Sequence, residues 1–148
     1  MKFSTILAGI ATFSASLVAA SPIQERQVTG FQVTNFFAAC SGPPDHCDYS
    51  ATLTSIPDGA VITASHTRSG VKTFPAASGF WTTSNPSVQI RINDSLGGDK
   101  RIAITDARII GSSMTYSHIA PNGQWPINAA GYQSYSGPTS FVANNNPV

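Results

Sequence analysis

Charge is what this chain has least of. Lysine and arginine number 8 and aspartate and glutamate 7, so charged residues make up 10% of the sequence. An ordinary soluble domain carries about a quarter. Serine, threonine, asparagine, glycine and proline take their place, and hydroxyls and amides must solvate the surface. Glutamate occurs once, at Glu25, near the N-terminus. That speaks against guanyl-type ribonuclease chemistry, which sets a base such as glutamate beside histidines and an arginine. Histidine is confined to His46, His66 and His118, scattered along the chain, and each alone reads as a surface or satisfied-core residue. A polysaccharide-cleaving copper monooxygenase needs histidine as its first mature residue, and neither Ser21 nor Gln27 provides it. No Gly-x-Ser-x-Gly elbow is present for an acyl hydrolase. The aspartates that remain are Asp45, Asp48, Asp58, Asp94, Asp99 and Asp106. Most sit in or beside turns, where aspartate is favoured for backbone reasons, and they do not announce the facing carboxyl pair of a glycosidase. No catalytic residue, cofactor site or metal site is expected, and the chain is read as non-enzymatic.

Long hydrophobic runs are equally rare. The one present is Ile6–Val18, preceded by Lys2 and closed by the small residues Val18-Ala19-Ala20. That is the layout of a secretory signal peptide over residues 1–20, too short and wrongly flanked for a spanning helix. The protein is therefore expected outside the cell, with no membrane segment. The polar end Asn144-Asn145-Asn146-Pro147-Val148 lacks the apolar tail of a lipid-anchor signal. With Lys2 gone, seven basic and seven acidic residues balance. Nucleic acid is a poor partner for such a surface, because that binding relies on a basic patch. Residues 21–28 read either as a propeptide cut after Arg26 or as a disordered arm. What remains, 29–148, has the size of one domain with a single core.

From Phe31 onward, short runs of β-branched and aromatic residues alternate with Gly, Pro, Asn and Asp, and helical periodicity is missing throughout. The predicted strands are Phe31–Ala39, Tyr49–Ser55, Ala60–Thr67, Val71–Phe74, Gly79–Thr83, Val88–Asn93, Arg101–Thr105, Arg108–Ser117 and a weaker Tyr132–Val142. Val88, Ile90 and Ile92 share one face, as do Ile102 and Ile104 across Gly97-Gly98, which predicts a half-buried hairpin. So many strands in so short a chain imply an all-β fold, a compact antiparallel β-barrel or a two-sheet sandwich. Pro121–Gly137 is expected to be an ordered loop anchored by Trp125, Tyr132 and Tyr135.

Two cysteines are too few for a disulfide scaffold, yet their placement is informative. Cys40 and Cys47 flank Ser-Gly-Pro-Pro-Asp-His, a turn-prone insert between two predicted strands. If those strands pair, the cysteines lie side by side, and an oxidising compartment favours a disulfide. A metal site of Cys40, His46 and Cys47 is the rival reading and lacks a second ligand cluster. An intermolecular bridge is the third. Asn93-Asp94-Ser95 is an N-glycosylation sequon at the start of the predicted hairpin turn, weighed against an unmodified turn asparagine. Asn85-Pro86-Ser87 is disqualified by its proline. Trp81, Trp125, Tyr116, Tyr132 and Tyr135 read either as core aromatics or as a platform for stacking sugars.

The stretch Phe31–Ala51, FQVTNFFAACSGPPDHCDYSA, carries a pattern of its own. An apolar strand ends near Asn35-Phe36, then come Ala38-x-Cys40, a short polar turn, and Cys47-x-Tyr49 leading into another strand. It resembles the opening of the Alternaria-major-allergen-like small secreted fungal proteins, a group that includes hypersensitive-response-inducing elicitors. The Met-Lys-Phe-Ser start and Glu25-Arg26-Gln27 also resemble fungal secreted precursors. The resemblance implies a compact β-barrel or two-sheet sandwich, secretion, and action on a plant host protein or receptor without catalysis. It carries over Cys40 and Cys47 as the hairpin bridge and no catalytic residue. Members of the group hold further cysteines, one of which dimerises. With only two here, a monomer is expected. A carbohydrate-binding or wall-associated module, with cell-wall polysaccharide as partner, is the alternative function.

Overall fold

The computed structural model describes residues 27–108 and 111–145; the leader and the arm up to Arg26 lie outside the described residues. Its strands are β1 (Gly30–Ser41), β2 (His46–Ile56), β3 (Val61–Ser69), β4 (Thr82–Thr83), β5 (Val88–Asp94), β6 (Lys100–Asp106), β7 (Met114–Ala120) and β8 (Phe141–Asn144). They form one eight-stranded antiparallel sheet in the order β4-β3-β2-β1-β8-β7-β6-β5, nearly closed into a barrel. Of the two architectures expected, the barrel is the one formed. The segment between β3 and β5 narrows the remaining gap. Thr82 and Thr83 pair with β3, while the Ser78 and Trp81 N–H groups donate to the Ile92 and Ile90 carbonyls of β5 at 2.8 and 2.9 Å.

The period-2 pattern decides what faces inward. Ile90 pairs with Ile104 and Ile92 with Ile102, and all four are fully buried. Each such side chain contributes roughly 1.5–3 kcal/mol relative to exposure. The turn between β5 and β6 places its positive φ angles at Gly97 (72°) and Gly98 (84°), where only glycine enters without strain.

In β1 the inward parity changes along the strand. Thr34 opposes Thr52 but Phe37 opposes Ser50, so β1 holds one extra residue, with Asn35 at φ 51°. This β-bulge turns Phe31 and Val33 inward before it and Phe36, Ala38 and Cys40 inward after it. Asparagine is among the few residues besides glycine that tolerate the left-handed region.

Four predicted strands differ from those formed. Val71–Phe74 is no strand. Pro75 removes a donor, and the segment docks instead through the Lys72 carbonyl and the Phe74 N–H on Gln133, which sends the Phe74 ring into the core. Gly79–Thr83 keeps only Thr82–Thr83 as strand, because its first residues turn toward β5. The run predicted from Arg108 begins at Met114, since the Arg108 main chain and side chain both bind back to Asp106. The run predicted from Tyr132 begins at Phe141, after Gly137 and Pro138. Val28, expected at the end of the arm, is buried, and its carbonyl accepts from the Tyr116 hydroxyl at 2.8 Å.

Register places the loops at two ends. The β1–β2 turn, the end of β3, the β5–β6 turn and the 121–137 loop meet at one end. The β2–β3 turn and Asp106–Arg108 lie at the other.

Candidate functional site

A polar constellation with exposed groups is built on the β1–β2 hairpin. Cys40 and Cys47 oppose each other in register, Cα atoms 3.8 Å apart, and are joined by a disulfide. The bridge settles the choice made open by sequence, for it consumes both thiols as metal ligands and as intermolecular partners. Beyond it the turn Gly42–Asp45 is pinned from the side. The Gly70 N–H donates to the Asp45 carbonyl at 2.7 Å, and the Tyr132 hydroxyl donates to Asp45 Oδ1 at 2.8 Å. A Cβ on Gly42 would lie 2.5 Å from that hydroxyl and 2.6 Å from Asp45 Oδ1, so a larger residue would have to displace the ends of both side chains. Lys72 Nζ sits 5.2 Å above the Tyr132 ring and 4.0 Å from Asp45 Oδ2. The bond to Asp45 raises the Tyr132 pKa, with desolvation adding to it.

His46 is held between three partners. Its Nδ1 lies 2.7 Å from the Pro44 carbonyl, while Nε2 lies 3.2 Å from Ser41 Oγ and 3.3 Å from Asp48 Oδ2. Thr67 Oγ1 donates to the other Asp48 oxygen at 2.7 Å. Serine, histidine and aspartate thus meet, but not as a nucleophilic relay. In a relay the hydroxyl and the carboxylate engage opposite ring nitrogens. Here both engage Nε2, and a backbone carbonyl holds Nδ1. The arrangement orients the ring and presents donors and acceptors to solvent. Exposed ion pairs of this kind contribute about 0–1 kcal/mol each, so the bridge and main-chain bonds, rather than charge, hold the surface in shape.

The other end holds a network that the sequence hides. Arg108 donates to both oxygens of Asp106, the shortest contact being Nη2 to Oδ2 at 2.7 Å, and its Nη1 lies 3.3 Å from Asp58 Oδ2. Ser55, buried, donates to the second oxygen of Asp58. The Asp106 hydrogen bond raises the Arg108 pKa against the opposing effect of burial. Burial pushes the Asp58 carboxyl up, yet the Ser55 hydroxyl and the Arg108 charge together leave it below its ordinary value. The guanidinium thus lies between two carboxylates, and the lowered Asp58 group is unsuited to act as a general acid.

The aromatics expected either in the core or on a sugar platform divide by depth. Trp81, Trp125 and Tyr116 are interior, and their polar atoms bond Ser78 Oγ, the Ala120 carbonyl and the Val28 carbonyl at 3.2, 3.2 and 2.8 Å. They present no face to a polysaccharide. Tyr132 and Tyr135 are half-buried and anchor the 121–137 loop. Tyr49 lies among His66, Phe74 and Trp81, ring centroids 5.3–5.6 Å away, and burial pushes its pKa up to about 12 against the nearby Arg68 charge. His118 stacks on Phe141 at 4.1 Å; burial lowers its pKa, offset in part by a bond to the Val142 backbone. Among the described residues no three His, Cys, Asp or Glu side chains gather as a metal site. The sequon residue Asn93 lies inside β5, opposite Arg101, and not in the turn itself.

Set against protein-family models, curated proteins and solved structures, the chain matches none.

Proposed function

We propose that the protein is a secreted fungal effector or elicitor of the Alternaria-major-allergen-like kind, recognised by a plant host protein through the bridged end of its barrel. The observation that carries this reading is the hairpin. The residues with the resemblance, Phe31–Ala51, form β1 and most of β2, and their turn projects Ser41, Asp45, His46 and Asp48 on a disulfide-closed frame. Polar and held by a disulfide and main-chain bonds, such a surface is pre-organised for a specific partner, because little ordering entropy is lost when it docks. The relay geometry that an acyl hydrolase would need is not assembled around His46, which favours binding over catalysis.

The test is infiltration of the mature protein into leaves beside a heat-denatured control and a His46→Ala, Asp48→Ala double variant. Necrosis or defence-gene induction that needs the fold and weakens several-fold in the variant is the expected result. Silence in several hosts, together with unchanged virulence on deletion of the gene, overturns the reading. Retention on chitin, cellulose or β-glucan in a pull-down would then favour the wall-associated module, with Tyr132 beneath Lys72 as its aromatic contact.

A further inference from the structure

The β5–β6 turn carries an unused feature. Beside it opens a cleft of about 480 Å³ lined by Asn93, Asp94, Ser95, Leu96 and Arg101. Each residue is in an unusual state. Leu96 is 92% exposed, an apolar side chain with nothing over it. Arg101 Nε is a buried donor without an acceptor, a position that costs about 1–3 kcal/mol when left unmet. Asp94 is already paired, accepting from Lys100 Nζ at 2.6 Å, so it does not neutralise Arg101. Ser95 makes no side-chain capping bond to the turn that follows it.

Asn93 is not needed by the turn. The positive φ angles fall on Gly97 and Gly98, so the usual reason for a turn asparagine does not apply. With its amide oriented to satisfy both ends, Oδ1 accepts from Arg91 Nε at 3.1 Å and Nδ2 donates to the Ile92 carbonyl at 3.2 Å. One Nδ2 hydrogen makes that bond, and the second is free to be replaced.

We infer that Asn93 carries an N-linked glycan whose first N-acetylhexosamine lies in this cleft, its acetamido carbonyl accepting from the Arg101 guanidinium and its apolar face covering Leu96. The step joins Nδ2 to sugar C1 as the C1–oxygen bond to a lipid-linked oligosaccharide pyrophosphate breaks. The pyrophosphate leaves with that electron pair, and the displaced Nδ2 proton passes to a base of the transferring enzyme. The Ser95 hydroxyl supplies the sequon contact that this transfer requires. The sugar then engages the guanidinium and shields the exposed leucine, one cleft serving both ends of the ring. The inference rests on the reading that the chain is exported.

Two expressions in a eukaryotic secretory host keep the two ideas apart. The full chain behind its own residues 1–20 tests export; the same chain behind a host leader tests Asn93 whatever the native leader does. From the second, intact mass should show a glycan that Asn93→Gln and Ser95→Ala each remove. The glycosylated protein should melt about 2–5 °C above the Asn93→Gln variant, a shift on the scale of about 1 kcal/mol for this size. Trimming by an endoglycosidase to a single sugar should retain that shift, and Arg101→Ala should abolish it. Absence of mass at Asn93 overturns the modification. A glycan that leaves melting unchanged, or a shift lost on trimming, overturns the docked sugar.

Discussion

The two ends of the barrel are closed by opposite means. At one, a covalent bridge and a set of main-chain bonds hold an exposed turn whose charges contribute little. At the other, no covalent link crosses between segments, and one guanidinium joins Asp58 of the β2–β3 turn to the buried Asp106 at the end of β6. The difference lies in solvent. An exposed turn gains little from ion pairs, which water screens, so its shape has to come from covalent and backbone constraints. A sheltered carboxylate cannot be left alone, so its partner becomes structural. Each end should therefore fail to a different agent, the first to reductant and the second to loss of charge.

The largest effect is expected from Arg108→Ala. It leaves Asp106 buried without its bidentate partner and frees Asp58 as well, which should lower stability by about 3–5 kcal/mol in denaturant unfolding. An unchanged midpoint would show that the far end is closed by packing alone. Next comes Cys40→Ser, or dithiothreitol on the parent. The loop between the cysteines is short, separation 7, so its closure entropy amounts to about 2–3 kcal/mol. Reductant should lower the melting temperature of the parent and leave Cys40→Ser where it is; equal sensitivity in both would remove the bridge from the account. The smallest effect concerns acid. Because the folded Asp58 carboxyl titrates below its ordinary value, its contribution is complete above about pH 4 and is lost as pH falls through the lower folded value. Asp58→Asn should flatten that part of the acid limb in a pH series of melting temperatures, with no change near neutrality attributable to its titration.

Much of the fold was legible in the residues because it follows local period. The β5–β6 hairpin shows itself in Ile90, Ile92, Ile102 and Ile104, and the β1–β2 hairpin in its paired cysteines. What stayed hidden depends on distance along the chain. Asp58 and Arg108 are 50 residues apart; by itself the first reads as a turn aspartate and the second as the start of a predicted strand. Val71–Phe74 has the composition of a strand, yet its partner is the side chain of Gln133 and not another strand. The candidate site was legible in part. His46 and the bridge stand out from the sequence, whereas Tyr132 reaches Asp45 only because a loop 87 residues later folds over the turn.

The bulge in β1 makes that strand two half-strands out of phase, joined by a spacer of one residue. Its effect is like that of a frameshift, written in space rather than in codons. Straightening β1 with all its residues kept would exchange inside for outside along the whole distal half, sending Phe36 and Cys40 toward water and Phe37 and Ser41 toward the core. The bridge and the polar turn both hang from that half. The bulge itself therefore fixes the working surface more tightly than the identity of any residue displayed on it.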